Sequence, residues 1–254
     1  MLSVVVAPWA GNAEPVFVRN PDVLHDAAST MKVAVLAALW RNGVNLAADV
    51  PVVNRFESAV GGEFGNDPDY DSDPLPWELL GTHVPLSLLA ERMITHSSNL
   101  ATNICLARTT PQAVADVWRR AGATRSCTPR GIEDYAARAA GVNNLVSARD
   151  LVRLIRSLAE EPELLALMED NDFRVDLAAG LPPGTRIAFK NGWITGARHC
   201  VGLVHPRDCP PYLLAVCYTG PLASGADRAD PAARLLARVS AAVWTRRHEL
   251  HTSQ

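Results

Sequence analysis

The chain has 254 residues, 48% apolar, 20% charged and 6% aromatic, which is the composition of a globular protein with room for one large or two modest domains. Its 24 Lys and Arg against 27 Asp and Glu leave a formal charge of −3, which excludes a strongly basic binder of nucleic acid or anionic membrane and gives no better support for a basic partner. The longest uninterrupted apolar run, residues 33–40, falls far short of the roughly 20 residues that cross a bilayer, so no span is expected.

Along the chain, the Val-rich and Phe-rich residues 2–7 and 15–19, separated by Pro8, Gly11, Asn12 and Pro15, predict two strands joined by a turn. No basic region precedes the first strand, so it does not read as a secretory signal, and a cytoplasmic chain is expected. From Ala28 the period changes: Met31, Val35, Leu36 and Leu39 predict a buried helix that runs to about Arg41 and stops at Gly43. Residues 54–85 are rich in Gly, Pro and Asp and predict a long loop. Asp67, Asp69, Asp71 and Asp73 alternate within it as calcium ligands do, but the central Gly and distal Glu of a calcium loop are missing, so a solvated acidic loop is expected. Helices are predicted over residues 86–95, 100–108, 111–121, 147–159 and 162–170, strands over 186–191, 200–205 and 212–219, and a last helix over 231–247. Strands at both ends around a helical block imply one antiparallel sheet assembled from the two termini. The five cysteines are scattered, odd in number and lack a C-x-x-C pair, so inert thiols are expected; a Cys200–Cys209 bridge would need a geometry that sequence does not supply.

Three short motifs carry chemistry. Ser29 and Lys32 stand three apart where a helix begins, hence on one face of its first turn. A serine becomes a nucleophile when a base takes its proton, and a desolvated lysine is such a base. By itself S-x-x-K also describes a capping serine and a surface lysine, but Lys32 is followed by the apolar run of a buried helix, where a lysine needs a reason. His96-Ser97-Ser98-Asn99 lies at a junction between predicted helices, and Lys190-Asn191-Gly192 at the end of a predicted strand. His96 and His199 read as supporting or surface groups rather than bases.

In that order, S-x-x-K, S-x-N and K-x-G form the signature set of serine β-lactamases and penicillin-binding proteins, and the sequence resembles that superfamily. The likeness to class A β-lactamases extends through residues 95–103, similar to the segment in which S-D-N is followed by T-A-x-N, and residues 143–151, similar to the exit from the omega loop. The resemblance implies an α/β (α+β) fold of β-lactamase/transpeptidase type, with a discontinuous sheet domain, residues 1–27 and 181–254, and an inserted helical domain, residues 28–180. It implies Ser29 as the acyl-accepting nucleophile, Lys32 as its proton partner, Ser97 as a proton shuttle to the leaving nitrogen and Asn99 as a ligand of the substrate side-chain amide. Lys190 would supply positive potential for the substrate carboxylate, Gly192 close backbone approach, and the N–H groups of Ser29 and Trp193 an oxyanion hole. No metal or cofactor is implied, and the partner is a small-molecule or short-peptide substrate.

Departures from the pattern are specific. Ser98 replaces the aspartate of S-D-N, and Asn191 replaces the hydroxyl residue of K-T-G that binds the substrate carboxylate. The omega loop lacks E-x-x-L-N; Glu133 in Arg130-Gly-Ile-Glu-Asp-Tyr-Ala136 is the candidate for activating the deacylating water, with a solvated loop acid as its alternative. Arg198, at the start of the next strand, is a candidate carboxylate ligand through its planar fork, with a surface hairpin arginine as the alternative. The expected activity is β-lactam hydrolysis through an acyl-enzyme. A D-Ala-D-Ala peptidase or esterase with the same nucleophile is the alternative, and a non-catalytic β-lactam or muropeptide binder is the alternative of another class.

Overall fold

The computed structural model describes residues 1–11 and 14–251. They form two compact units, one of Met31–Arg120 and Cys127–Asn144, the other of Met1–Thr30, Ala121–Ser126 and Leu145–Gln254.

The first unit is helical: α1 (Lys32–Arg41), α2 (Leu86–Thr95), α3 (Asn99–Leu106) and α4 (Pro111–Arg120). Every residue of α1 from Lys32 to Leu39 is buried. A helix apolar on all sides must be surrounded, and its alanines at 34, 37 and 38 let α2, α3 and α4 approach it. It ends where Gly43 takes the left-handed conformation at φ 64. By contrast α4 is amphipathic, burying Val114, Val117 and Trp118, and the Trp118 indole N–H donates to Thr128 Oγ1 at 3.1 Å. The expected loop 54–85 contains short ribbons instead, pairing Phe56–Glu57 with Glu63–Phe64 and His83–Pro85 with Asp49–Pro51, along with a helical turn at Leu75–Glu78.

The second unit is built on a five-stranded antiparallel sheet of β1 (Leu2–Pro8), β2 (Phe17–Arg19), β3 (Arg186–Ile194), β4 (Ala197–His205) and β5 (Tyr212–Thr219), in the order β2-β1-β5-β4-β3. Val4 pairs with Val216 and Val5 with Ala215, so the two ends of the sequence share one sheet, as expected. Val4, Val6, Ile187, Phe189, Leu214 and Val216 form a core on one face with Leu236 of α7 (Pro231–Thr245). Strands β1, β4 and β5 are also packed by α5 (Ala148–Arg156), and β3 by α6 (Pro162–Glu169). The sequence groups residues 145–180 with the helical domain; in the structure the apolar stripes of α5 and α6 are spent on the sheet. Among the described residues no helix is long and apolar enough to cross a membrane. All five cysteines are free thiols, Cys200 and Cys209 included.

Candidate active site

Lys32 opens α1 with its side chain fully enclosed. Its Nζ donates to the Ser97 carbonyl at 2.6 Å and to Asn99 Oδ1 at 2.9 Å, with Ser97 Oγ at 3.3 Å and the Ser98 carbonyl at 3.4 Å. None of these acceptors is charged. Burial therefore dominates and lowers Lys32 from 10.5 to about 8, against the upward pull of the Asp71 and Glu133 carboxylates. An amine held there is uncharged in a useful fraction of molecules near neutral pH, and its lone pair can take a hydroxyl proton.

Ser97, between α2 and α3, sits in the left-handed region at φ 57, where a non-glycine residue costs on the order of 1–3 kcal/mol. Lys32 and the Ser72 hydroxyl, at 3.3 Å, both bind its carbonyl and hold it there. Ser98 caps α3 by accepting from the Ala101 N–H at 3.1 Å, and donates its own hydroxyl to Asp71 Oδ2 at 3.1 Å. Asp71 also accepts from the N–H groups of Asn99 and Leu100 at 3.0 and 2.9 Å.

Glu133 is nearly buried, at φ 66. Its Oε1 accepts from the side-chain amides of Asn99 and Asn66, both at 3.0 Å, and its Oε2 from the Asp67 N–H at 2.8 Å. The loop is clamped by Asn103, whose amide bonds both the N–H and the carbonyl of Ile132 at 2.8 Å. Gly131 beside it leaves room for its neighbours: a Cβ there would lie 2.6 Å from the Phe64 ring tip and 2.9 Å from Asn103 Oδ1. The amide of Asn99 thus joins Lys32 at its oxygen to Glu133 at its nitrogen.

In the sheet unit, Ser29 follows Ala28, another left-handed residue at φ 43, whose N–H donates to Asp26 Oδ1 at 3.1 Å. His199 braces that turn: its Nδ1 accepts from the Tyr218 N–H at 3.2 Å, so its Nε2 carries the proton donated to the Asp26 carbonyl at 2.7 Å. Burial, reinforced by neighbouring His25, lowers His199 to about 3 and keeps it neutral. A Cβ on Gly192 would lie 2.5 Å from Ser29 N and 3.0 Å from Thr30 N, so β3 passes directly against the backbone of the Ser29 turn. As the edge strand, β3 directs alternate N–H groups away from the sheet. Lys190 shares the Gly192 face and is wholly buried, donating to the Asn191 carbonyl at 2.9 Å.

The family model described as Beta-lactamase enzyme family matches residues 2–246. The chain belongs to this family. It is a β-lactamase-like serine hydrolase. Solved structures share the fold across nearly the whole chain: a β-lactamase from Xanthomonas campestris pv. campestris (19% identity, TM-score 0.77, 96% of this chain and 90% of that one), a β-lactamase from Burkholderia vietnamiensis (20%, 0.75, 97% and 93%) and PBP-A (21%, 0.74, 97% and 90%). No curated protein matches the sequence.

Of the residues singled out from the sequence, Lys32, Ser97, Asn99 and Glu133 lie in one bonded network of the helical unit, and Ser29 and Gly192 touch in the sheet unit. Glu133 is a bonded, enclosed carboxylate rather than a solvated loop acid. Two expectations are corrected. Asn191 projects from the face of β3 opposite Lys190, where its amide donates to the Phe173 carbonyl at 3.0 Å and Asp176 Oδ2 at 3.2 Å, which leaves it no free donor for a substrate carboxylate. Arg198 is fully buried, paired with Asp176 at 2.6 Å and Asp230 at 3.3 Å, bonded to the Asp227 and Arg228 carbonyls and stacked 5.0 Å from the Trp193 ring; its fork is already occupied. In the acidic tract Asp67 and Asp69 are exposed, as a solvated loop requires, whereas Asp73 is buried and paired with Arg92. Among the described residues no cluster fits a metal ion. Asn66 is not singled out by the sequence, Asn103 enters there only as the end of the T-A-x-N match and Asp71 only as one of the aspartates of the acidic tract.

Proposed function

We propose that the protein hydrolyses the amide of a β-lactam through an acyl-enzyme on Ser29, as class A enzymes do. Lys32 takes the Ser29 hydroxyl proton as the oxygen attacks the lactam carbonyl, and the N–H groups of Ser29 and Trp193 receive the developing oxyanion. Ser97 passes the proton to the departing lactam nitrogen. Asn99 exchanges one of its bonds for the substrate's side-chain amide, and Lys190 supplies positive potential for an anionic substrate group. Glu133 then removes a proton from water, which attacks the ester, and that proton passes on to the departing Ser29 oxygen, restoring the hydroxyl and the carboxylate. The observation that carries this reading is Lys32, enclosed among uncharged acceptors and joined through Asn99 to Glu133: a poised base and a second carboxylate in one network.

One observation favours an ester or a peptide lacking a recognised carboxylate as the substrate of the same nucleophile. Two of the side chains read from sequence as substrate ligands, Asn191 and Arg198, are spent on Asp176. A chromogenic cephalosporin and p-nitrophenyl esters, assayed side by side, separate the two. Cephalosporin turnover abolished by Ser29→Ala supports the lactamase reading, and rapid ester cleavage without cephalosporin turnover overturns it.

A further inference from the structure

Asp71 is used by no step of the mechanism, yet its carboxylate is one of the most heavily bonded groups of the helical unit. Oδ1 accepts from the N–H groups of Asn99 at 3.0 Å and Asp73 at 3.2 Å. Oδ2 accepts from the Leu100 N–H at 2.9 Å, the Ser98 hydroxyl at 3.1 Å and the Trp77 indole at 3.0 Å. Three of these donors belong to the three residues that follow Ser97.

We propose that Asp71 is a positioning residue for acylation, a carboxylate supplied from a distant loop that holds Ser97 and Asn99 in register with Lys32. The proposal rests on the reading of Ser29 and Lys32 as nucleophile and base.

The geometry supports it in two ways. Ser97 is held at a costly left-handed φ, which persists only where surrounding bonds over-determine it. Its carbonyl is fixed by Lys32 and Ser72, and the chain immediately after it is fixed by Asp71. The negative carboxylate also stands where the first N–H groups of α3 are exposed, which favours it electrostatically. Ser98 has the shorter side chain at the cap itself, and Asp71 reaches its hydroxyl from the other side.

Asp71 also supplies charge. Within the helical unit the ionisable groups around Lys32 are Asp71 and Glu133, both raising its proton affinity. Asp73 is neutralised by a two-pronged bond from Arg92 at 2.6 and 2.7 Å, His96 Nδ1 is engaged with Thr95 Oγ1, and Asp67 and Asp69 belong to the turn beyond Tyr70. Removing the Asp71 charge lets Lys32 lose its proton at lower pH.

The test is the pH dependence of kcat/KM, with whichever of a chromogenic cephalosporin or a p-nitrophenyl ester the wild type turns over. It uses the wild type, Asp71→Asn, Asp71→Ala combined with Ser98→Asp, and Ser29→Ala. The expected result is a loss on the order of 10- to 100-fold in Asp71→Asn, from displacement of Ser97 and Asn99, with the acid limb of the profile moved to lower pH. Adding Ser98→Asp returns a carboxylate to the space that Asp71→Ala vacates, and aspartate caps a helix as well as serine does. Rate and acid limb should both return toward wild type. A limb that stays in place in Asp71→Asn overturns the proposal while leaving the nucleophile reading intact, and activity retained in Ser29→Ala overturns both. Should Asp71→Asn fail to fold, Asp71→Ala alone takes its place, with the same loss and shift expected, and the double variant remains the rescue.

Discussion

Replacing Gly192 with alanine adds one methyl group at the closest approach of β3 to the Ser29 turn. The new Cβ would lie 2.5 Å from Ser29 N, 3.0 Å from Thr30 N and 3.1 Å from Ala28 Cβ, and ordinary contact begins near 3.4 Å. The nearest two atoms are backbone, so no side-chain rotation relieves the overlap. Strand and turn must part by about 0.9 Å at the tightest point. Ala28 already holds a strained φ of 43, so the turn has little freedom to absorb the shift within its own conformation. Overpacking of this kind costs typically 1–3 kcal/mol, which lowers the melting temperature by several degrees and leaves the protein folded at assay temperature. The effect on acylation is larger. Parting the Ser29 and Trp193 N–H groups by about 1 Å spoils their convergence on one oxyanion, a displacement that costs about 100-fold in rate. Stopped-flow measurement of acylation by a chromogenic substrate reads this directly. An unchanged rate constant with a normal melting curve would refute the placement of the oxyanion site at the Ser29–Gly192 contact.

Glu133→Gln keeps the amide bonds to Asn66 and Asn99 within reach but removes the base. Acylation should proceed with a burst while turnover falls about 100-fold or more, and equal steady-state turnover would assign deacylation to another group. Arg198→Met leaves Asp176 and Asp230 buried and unpaired. The expected loss is about 3–5 kcal/mol in denaturant unfolding with KM unchanged, and a raised KM at unchanged stability would restore Arg198 to substrate binding. Lys32 is lowered to about 8 from an ordinary 10.5. Between those pH values the unfolded chain holds the proton and the folded chain does not, so folding stability from this residue rises with pH across that window. The rise should vanish in Lys32→Met, and identical slopes in the two proteins would contradict the enclosure of the amine.

What the sequence conveys about this molecule follows from the range of the forces involved. The Val alternation of residues 2–7 and the helical period of residues 31–39 are local, and both elements form where their periods place them. The stripes of α5 and α6 report that one side of each helix is buried, not which neighbour buries it, and here the sheet does. Asn191 and Arg198 lie on strands, where the side chain falls on one of two faces, and only the tertiary pairing with Asp176 decides which. Glu133 lacks the family's L-N companion, and its position is set by Asn66 and Asn103 from far along the chain. Asp71 likewise acts through contacts 28 and 29 residues away. The S-x-x-K, S-x-N and K-x-G motifs were legible because each is a short local unit of backbone geometry with its chemistry attached.

The measurement closest to the central claim is the intact mass of the protein after exposure to benzylpenicillin, followed by peptide mapping. The account predicts a covalent penicilloyl adduct on the peptide containing Ser29, longer-lived in Glu133→Gln and absent in Ser29→Ala. An adduct that maps elsewhere, or that persists in Ser29→Ala, would contradict it.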